Sequence, residues 1–147
     1  MEELSGRGSA LSLVLDASAT LAWFAGGPDV REASVLLDSV MQAGAWVPSL
    51  WKLEVANALH FSAMHGRREA SFVSRSLADL ETLPIAIDNQ TEARAWSETL
   101  ELARRHRLTL YDAAYLELAV RLALPLASLD RELRAAAEAD GVLVLGE

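Results

Sequence analysis

Leu11-Ser12-Leu13-Val14-Leu15-Asp16 is a short apolar run closed by an acid. Its length and near-continuous apolarity predict a strand buried on both faces, as in a parallel sheet covered by helices. A similar run, Leu126-Ala127-Ser128-Leu129, closes on Asp130. Working outward, Ala19 to Ala25 reads as a short helix stopped by Gly26, Gly27 and Pro28. Val30 to Ala43 is amphipathic and closed by Gly44, and Ala45 to Val47 is a second strand. Pro48 and Ser49 open a helix to about His65, with Ser49 as its N-cap. Helices over Arg68–Leu83, Gln90–His106, Tyr111–Ala123 and Asp130–Ala139 follow, with β-like segments at Pro84–Ile87 and Val142–Leu145. Strands alternating with helices imply an α/β fold, a three-layer sandwich around a central, mostly parallel sheet. Ligands of such sheets bind beyond the carboxyl ends of the strands, so Asp16 and Asp130 are expected on one edge.

The chain has 147 residues, 52% hydrophobic and 23% charged, enough for one domain with a hydrophobic core. We expect a tail over residues 1–10 and a single domain over 11–147. No apolar stretch is long enough to span a bilayer, and the polar start lacks the pattern of a signal peptide. With no cysteine, disulfides and thiolate metal sites are excluded. These features suit a cytoplasmic protein. The net charge of −8 is the wrong sign for holding nucleic acid by bulk electrostatics. Either no nucleic acid is involved, or part of the negative charge is gathered where a bound cation reverses its sign.

Four acids sit beside or inside apolar segments: Asp16, Glu54, Asp112 and Asp130. Burying an isolated carboxylate is unfavourable unless it is paired, hydrogen-bonded or bound to metal. Each also has a plain structural reading. Asp16 suits a strand-end turn or an N-cap, a role Ser18 could take instead. Glu54 shares a helix face with Leu50, Asn57, Ala58 and Phe61, where a salt bridge or a partly exposed edge would account for it. Thr109 and Asp112 match a capping box, and Asp130 would cap the last helix. The argument for a site is the set, because strand ends and inward helix faces point to one edge.

In four segments the sequence resembles the PIN-domain ribonucleases, and among them VapC-type toxins of bacterial toxin–antitoxin pairs. These are Val14-Leu15-Asp16-Ala17-Ser18; Glu54-Val55-Ala56-Asn57-Ala58-Leu59; Leu108-Thr109-Leu110-Tyr111-Asp112-Ala113-Ala114-Tyr115-Leu116-Glu117-Leu118-Ala119; and Leu126-Ala127-Ser128-Leu129-Asp130. The third is the most specific. The resemblance implies a PIN-like fold and a metal-dependent endoribonuclease that leaves 5′-phosphate and 3′-hydroxyl ends. It places the metal-binding and catalytic acids on Asp16, Glu54, Asp112 and Asp130, which would have to meet at a shared cation. Ser18, Asn57 and Ser128 fall on positions that support the site. Oxygen donors suit Mg²⁺, with Mn²⁺ as a substitute. The implied partners are an RNA substrate, a cognate VapB-like antitoxin and a second copy of the chain.

Two other readings compete: a non-catalytic PIN-like protein-binding module, and another Mg²⁺-dependent nuclease or phosphatase on an α/β fold. Arg67-Arg68, Arg104-Arg105-His106-Arg107 and Arg131 are candidate phosphate contacts. Helix C-terminal charge is the preferred explanation of Arg104 and Arg105, and a solvated helix face suits Arg131 and Arg134 as well as phosphate contact does. The four tryptophans, Trp23, Trp46, Trp51 and Trp96, are expected to pack in a core or interface rather than stack bases. His60, His65 and His106 share no metal-ligand spacing. The choice of RNA, the identity of the antitoxin and the number of metal ions are not written in these motifs.

Overall fold

A computed structural model describes residues 12–26 and 30–146. The expected tail, together with Leu11, Gly27 and Pro28, lies outside these residues. Five strands form one all-parallel sheet in the order β3-β2-β1-β4-β5: β1 Leu13–Leu15, β2 Ala45–Val47, β3 Ile85–Ile87, β4 Leu126–Ala127 and β5 Val144–Leu145. The helices are α1 Ala17–Leu21, α2 Val30–Ala43, α3 Trp51–Met64, α4 Ala70–Glu81, α5 Thr91–Arg94, α6 Glu98–His106, α7 Leu110–Leu122 and α8 Arg131–Ala139. A 3₁₀ turn, Ala22–Phe24, follows α1.

The chain steps from β1 to β2 to β3, then returns past β1 to β4 and β5. Parallel crossovers are right-handed, so stepping in opposite directions puts the helices of the two halves on opposite faces. The packing agrees: α1 lies on α3 and α3 on α4, while α6 lies on α7 and α7 on α8. This is the expected three-layer sandwich. All three residues of β1 are buried because it is central and covered on both faces. In α7 every residue from Ala113 to Ala119 is buried, and the helix packs on β1 and β4. Each large apolar side chain so covered stabilises the fold by about 1.5–3 kcal/mol.

Local chemistry sets the joints. Gly44 ends α2 with φ +80°, and a Cβ there would meet the Pro84 carbonyl at 3.0 Å. That carbonyl accepts from the Ala45 N–H, joining β2 to the start of β3, so only glycine fits the corner.

Two expected elements differ. Ser49 does not cap α3; the N-cap is Leu50, already helical in conformation. The Trp51 N–H bonds the Pro48 carbonyl, a turn leading straight into the helix, while the Ser49 N–H is drawn to Thr91 Oγ1. The single helix expected over Gln90–His106 is broken at residues 95–97, between α5 and α6. Ser97 leaves helical geometry and bonds Glu98 Oε1 at 2.5 Å, while Arg94 is held by Glu117. A serine that bonds locally competes with the helix ladder, and an ion pair one turn earlier fixes where the break falls. The break leaves Trp96 91% exposed, whereas Trp51 is buried as expected.

Candidate active site

The order of the sheet reverses between β1 and β4. At such a switch point the crossovers leave on opposite faces and open a crevice at the strands' carboxyl ends. Asp16 directly follows β1, and Ser128 and Asp130 follow β4. Asp16 is only 4% exposed and caps α1 by accepting the Ala19 N–H at 2.8 Å. Ser18 Oγ donates to the same Asp16 oxygen at 2.7 Å and accepts from the Leu129 N–H at 2.9 Å. The fully buried Ser128 hydroxyl bonds Asp16 and accepts from the Asp130 N–H. Two hydroxyls therefore stitch the end of β1 to the end of β4. Asp130 caps α8, with Oδ1 accepting from Glu132 and Leu133.

Glu54 and Asp112 come from the covering helices. Glu54 is half-buried on α3, one turn after the buried Trp51. The stripe of α3 that enters the core is Trp51, Val55 and Leu59; Phe61, expected on the buried face, is 46% exposed. The inward face is rotated by one residue from the expected one, which leaves Glu54 on the rim. Asp112 lies in the first turn of α7, its N–H bonded to the Thr109 N-cap. Asp16 and Asp130 thus cap helices as expected, while Asp112 lies in a first turn capped by Thr109 without bonding back to it.

The acids act on one another. Burial holds the Asp16 carboxyl above its ordinary range against the hydrogen bonds from Ser128, Ala19 and Ser18, with Asp130 adding to the rise. Glu54 is raised by burial and by the charge of Asp16, opposed by the bond from Tyr115. Asp112 is pushed up to about 6 by burial and then by Asp130, Glu54, Asp16 and Glu132. Carboxylates that raise one another in this way form a sink for positive charge. Their all-oxygen chemistry fits a hard divalent cation, and Mg²⁺ binds through one or two carboxylates while keeping several waters. Among the described residues, no group of three or more acids or histidines is gathered tightly enough to enclose a metal directly. The four acids share one edge and feel each other's charge without closing on a single point.

The supporting positions divide. Ser18 and Ser128 bond Asp16, whereas Asn57 is exposed one turn beyond Glu54. Sequence reasoning missed Glu132 and Tyr115. Tyr115 donates to Glu54 Oε1 at 2.5 Å, and its place three residues after Asp112, on the same helix face, was the available signal. Of the basic clusters, Arg68 bonds the Phe24 carbonyl and lies over the Phe72 ring. Arg105 pairs with Glu101 and Asp140, and His106 also bonds Asp140. Arg134 is no solvated residue: it bonds the carbonyls of Ser128 and Leu145 and ties α8 to the ends of β4 and β5.

Residues 13–139 match the PIN domain family, and the chain belongs to that family. Ribonuclease VapC3 of Pyrobaculum aerophilum is 30% identical over 123 residues, 84% of this chain and 92% of that protein. Among solved structures, PAE2754 from the same organism superposes with a TM-score of 0.67 at 27% identity, over 92% of each chain. FitAcB from Neisseria gonorrhoeae shares the fold at 18% identity and a TM-score of 0.55, over 92% of this chain and 96% of that one. A toxin–antitoxin complex from Klebsiella pneumoniae shares it at 22% identity and a TM-score of 0.55, over 83% and 87%.

Proposed function

We propose that the protein is a metal-dependent endoribonuclease, the toxin of a toxin–antitoxin pair, that hydrolyses RNA to 5′-phosphate and 3′-hydroxyl ends. The observation that carries this reading is the placement of Asp16 and Asp130 at the ends of β1 and β4, the switch point of a PIN sheet, with Glu54 and Asp112 near enough for their charges to interact with that pair. Likeness to Ribonuclease VapC3 supports RNA as the substrate. Asp16, Glu54, Asp112 and Asp130 would hold Mg²⁺, or Mn²⁺ in its place, directly or through water. A bound divalent cation offsets charge on the phosphate and makes water a better nucleophile at neutral pH. The protein's own contribution is placement. Ser18 and Ser128 hold the Asp16 carboxylate, and the first turns of α7 and α8 place Asp112 and Asp130.

We read residues 11–147 as one such domain, acting in the cytoplasm as a homodimer and silenced by a VapB-like antitoxin. Among the described residues no helix is long and apolar enough to cross a membrane. The antitoxin reading draws on the complex from Klebsiella pneumoniae, a likeness of fold, and on the apolar residues α3 leaves outside, Leu53, Phe61 and Met64.

The test is to map RNA ends in total cellular RNA after brief induction, with Asp16→Asn as the control. New 5′-phosphate ends are expected with the wild type alone. Equal cleavage by Asp16→Asn would overturn the site, and no cleavage by either protein would favour a binding module.

A further inference from the structure

We propose that Tyr115 is a positioning residue for Glu54: its buried hydroxyl fixes one carboxylate oxygen and sets the distance between the acid of α3 and the acid of α7. The proposal rests on the metal-site reading above. Tyr115 is 1% exposed, and its neighbours along α7, Ala113, Ala114, Leu116 and Leu118, are buried and apolar. A phenol hydroxyl in such surroundings needs a partner. Its partner is Glu54 Oε1 at 2.5 Å, from a helix 61 residues earlier. Tyr115 also stands one turn along α7 from Asp112. The segment that presents one acid therefore grips the other.

A second bond separates this role from simple helix packing. Trp51 Nε1 donates to Thr20 Oγ1 at 3.0 Å, and that hydroxyl donates to the Asp16 carbonyl at 2.8 Å. Trp51 is fully packed one turn before Glu54, so the α3 backbone is already fixed to α1 and to Asp16. What stays free is the Glu54 side chain, which has three rotatable bonds and lies on a rim. An unanchored glutamate there would spread over several rotamers. The Tyr115 hydroxyl selects one and leaves Oε2 to meet a cation or its water. Partners of this kind behind metal ligands typically change metal affinity by about 10–100-fold when removed.

The experiment compares wild type, Tyr115→Phe, Glu54→Ala and the double variant, each full-length and metal-free at the start. Mn²⁺ binding is followed by electron paramagnetic resonance and RNA cleavage as a kcat and KM pair. Tyr115→Phe keeps the ring and its packing, so the metal-free melting temperature should move by only a few degrees. Its Mn²⁺ affinity should fall about 10-fold or more, and kcat should fall more than KM changes. In the Glu54→Ala background, adding Tyr115→Phe should change Mn²⁺ affinity less than twofold, because the hydroxyl acts through a group no longer there. Wild-type affinity in Tyr115→Phe, or the same loss with and without Glu54, would overturn the proposal while leaving the nuclease reading intact. Failure of the wild type to bind Mn²⁺ would overturn both.

Discussion

The molecule holds two groups of acids set wholly or partly into the fold, and they behave in opposite ways. At the edge of β1 and β4, Asp112 is pushed up to about 6 by burial and by four other acids. Beyond β3, Asp88 is more enclosed, at 5% exposed against a half-buried Asp112, yet its carboxyl is held below the ordinary range. Burial pushes Asp88 up as well, but hydrogen bonds and charge from Arg121, with Thr91 and the backbone of Gln90, outweigh it. Arg121 reaches both Asp88 oxygens at 2.8 and 3.1 Å and both Glu117 oxygens at 2.8 and 3.0 Å; Arg94 adds a 2.5 Å bond to Glu117. One group carries its countercharge within the polypeptide, and the other has no ion pair among the described residues. The arginine-matched acids hold α7 to β3 and α5. The unmatched acids keep a demand for positive charge that a cation can meet.

The sharpest way to break the comparison is to neutralise one acid from the unmatched group. Asp16→Asn or Asp112→Asn should lower RNA cleavage by about 10²–10³-fold or more while the protein stays folded, as circular dichroism and a cleavage assay would show. If both variants cut RNA at the wild-type rate, the two groups do not differ in function.

Removing the matching cation is the converse. Arg121→Met leaves Asp88 and Glu117 buried without their principal partner. Breaking a buried pair from one side destabilises by about 3–5 kcal/mol, and denaturant unfolding should register a loss of that order. A loss below about 1 kcal/mol, the scale of surface pairs, would mean Arg94 and water suffice.

A smaller effect lies in the pH dependence. A carboxyl with a raised folded value binds more protons folded than unfolded, so its ionisation works against the fold. Through Asp112, metal-free stability should fall as pH rises from about 4 to about 6 and then level off. Asp88 has the opposite sign: its contribution is present above the ordinary carboxyl range and lost only below about pH 4. Asp112→Asn should therefore melt higher than the metal-free wild type at pH 7.5, with the gap closing toward pH 4. Thermal scans showing a constant gap would place the Asp112 effect elsewhere. Millimolar Mg²⁺ should narrow the same gap at pH 7.5, because a cation that binds only the folded wild type stabilises it.

The smallest effect belongs to the exposed ion pair of Lys52 with Glu81, 61% and 69% exposed. Lys52→Ala should shift stability by less than about 1 kcal/mol, and a larger loss would show that surface pairing matters here as much as Arg121.

Much of this was legible from residue order. The runs ending at Asp16 and Asp130 gave the paired strand ends, and Val30–Ala43 became α2 without change, because its apolar spacing and Gly44 are local signals. Legibility failed where distant residues decide. Ser49 has the chemistry of a cap but is claimed by Thr91, 42 residues away. The break at 95–97 depends on Arg94 meeting Glu117. Glu117 lay within the most specific motif and read as a motif letter; its role follows from Arg121 and Asp88, brought together only by the crossover. The tightness of the acid cluster was beyond the motifs as well, since spacing along the chain sets an edge and not a separation.

The position of β4 between β1 and β5 has a consequence for synthesis. The Val14 N–H donates to the Pro125 carbonyl, and the Asp16 N–H to the Ala127 carbonyl. A growing chain that has not yet released residues 125–130 from the ribosome lacks one neighbour of its central strand, and Asp130 with it. The central strand and the site are therefore completed only once residues 125–130 have emerged, and no shorter nascent stretch can carry a complete site.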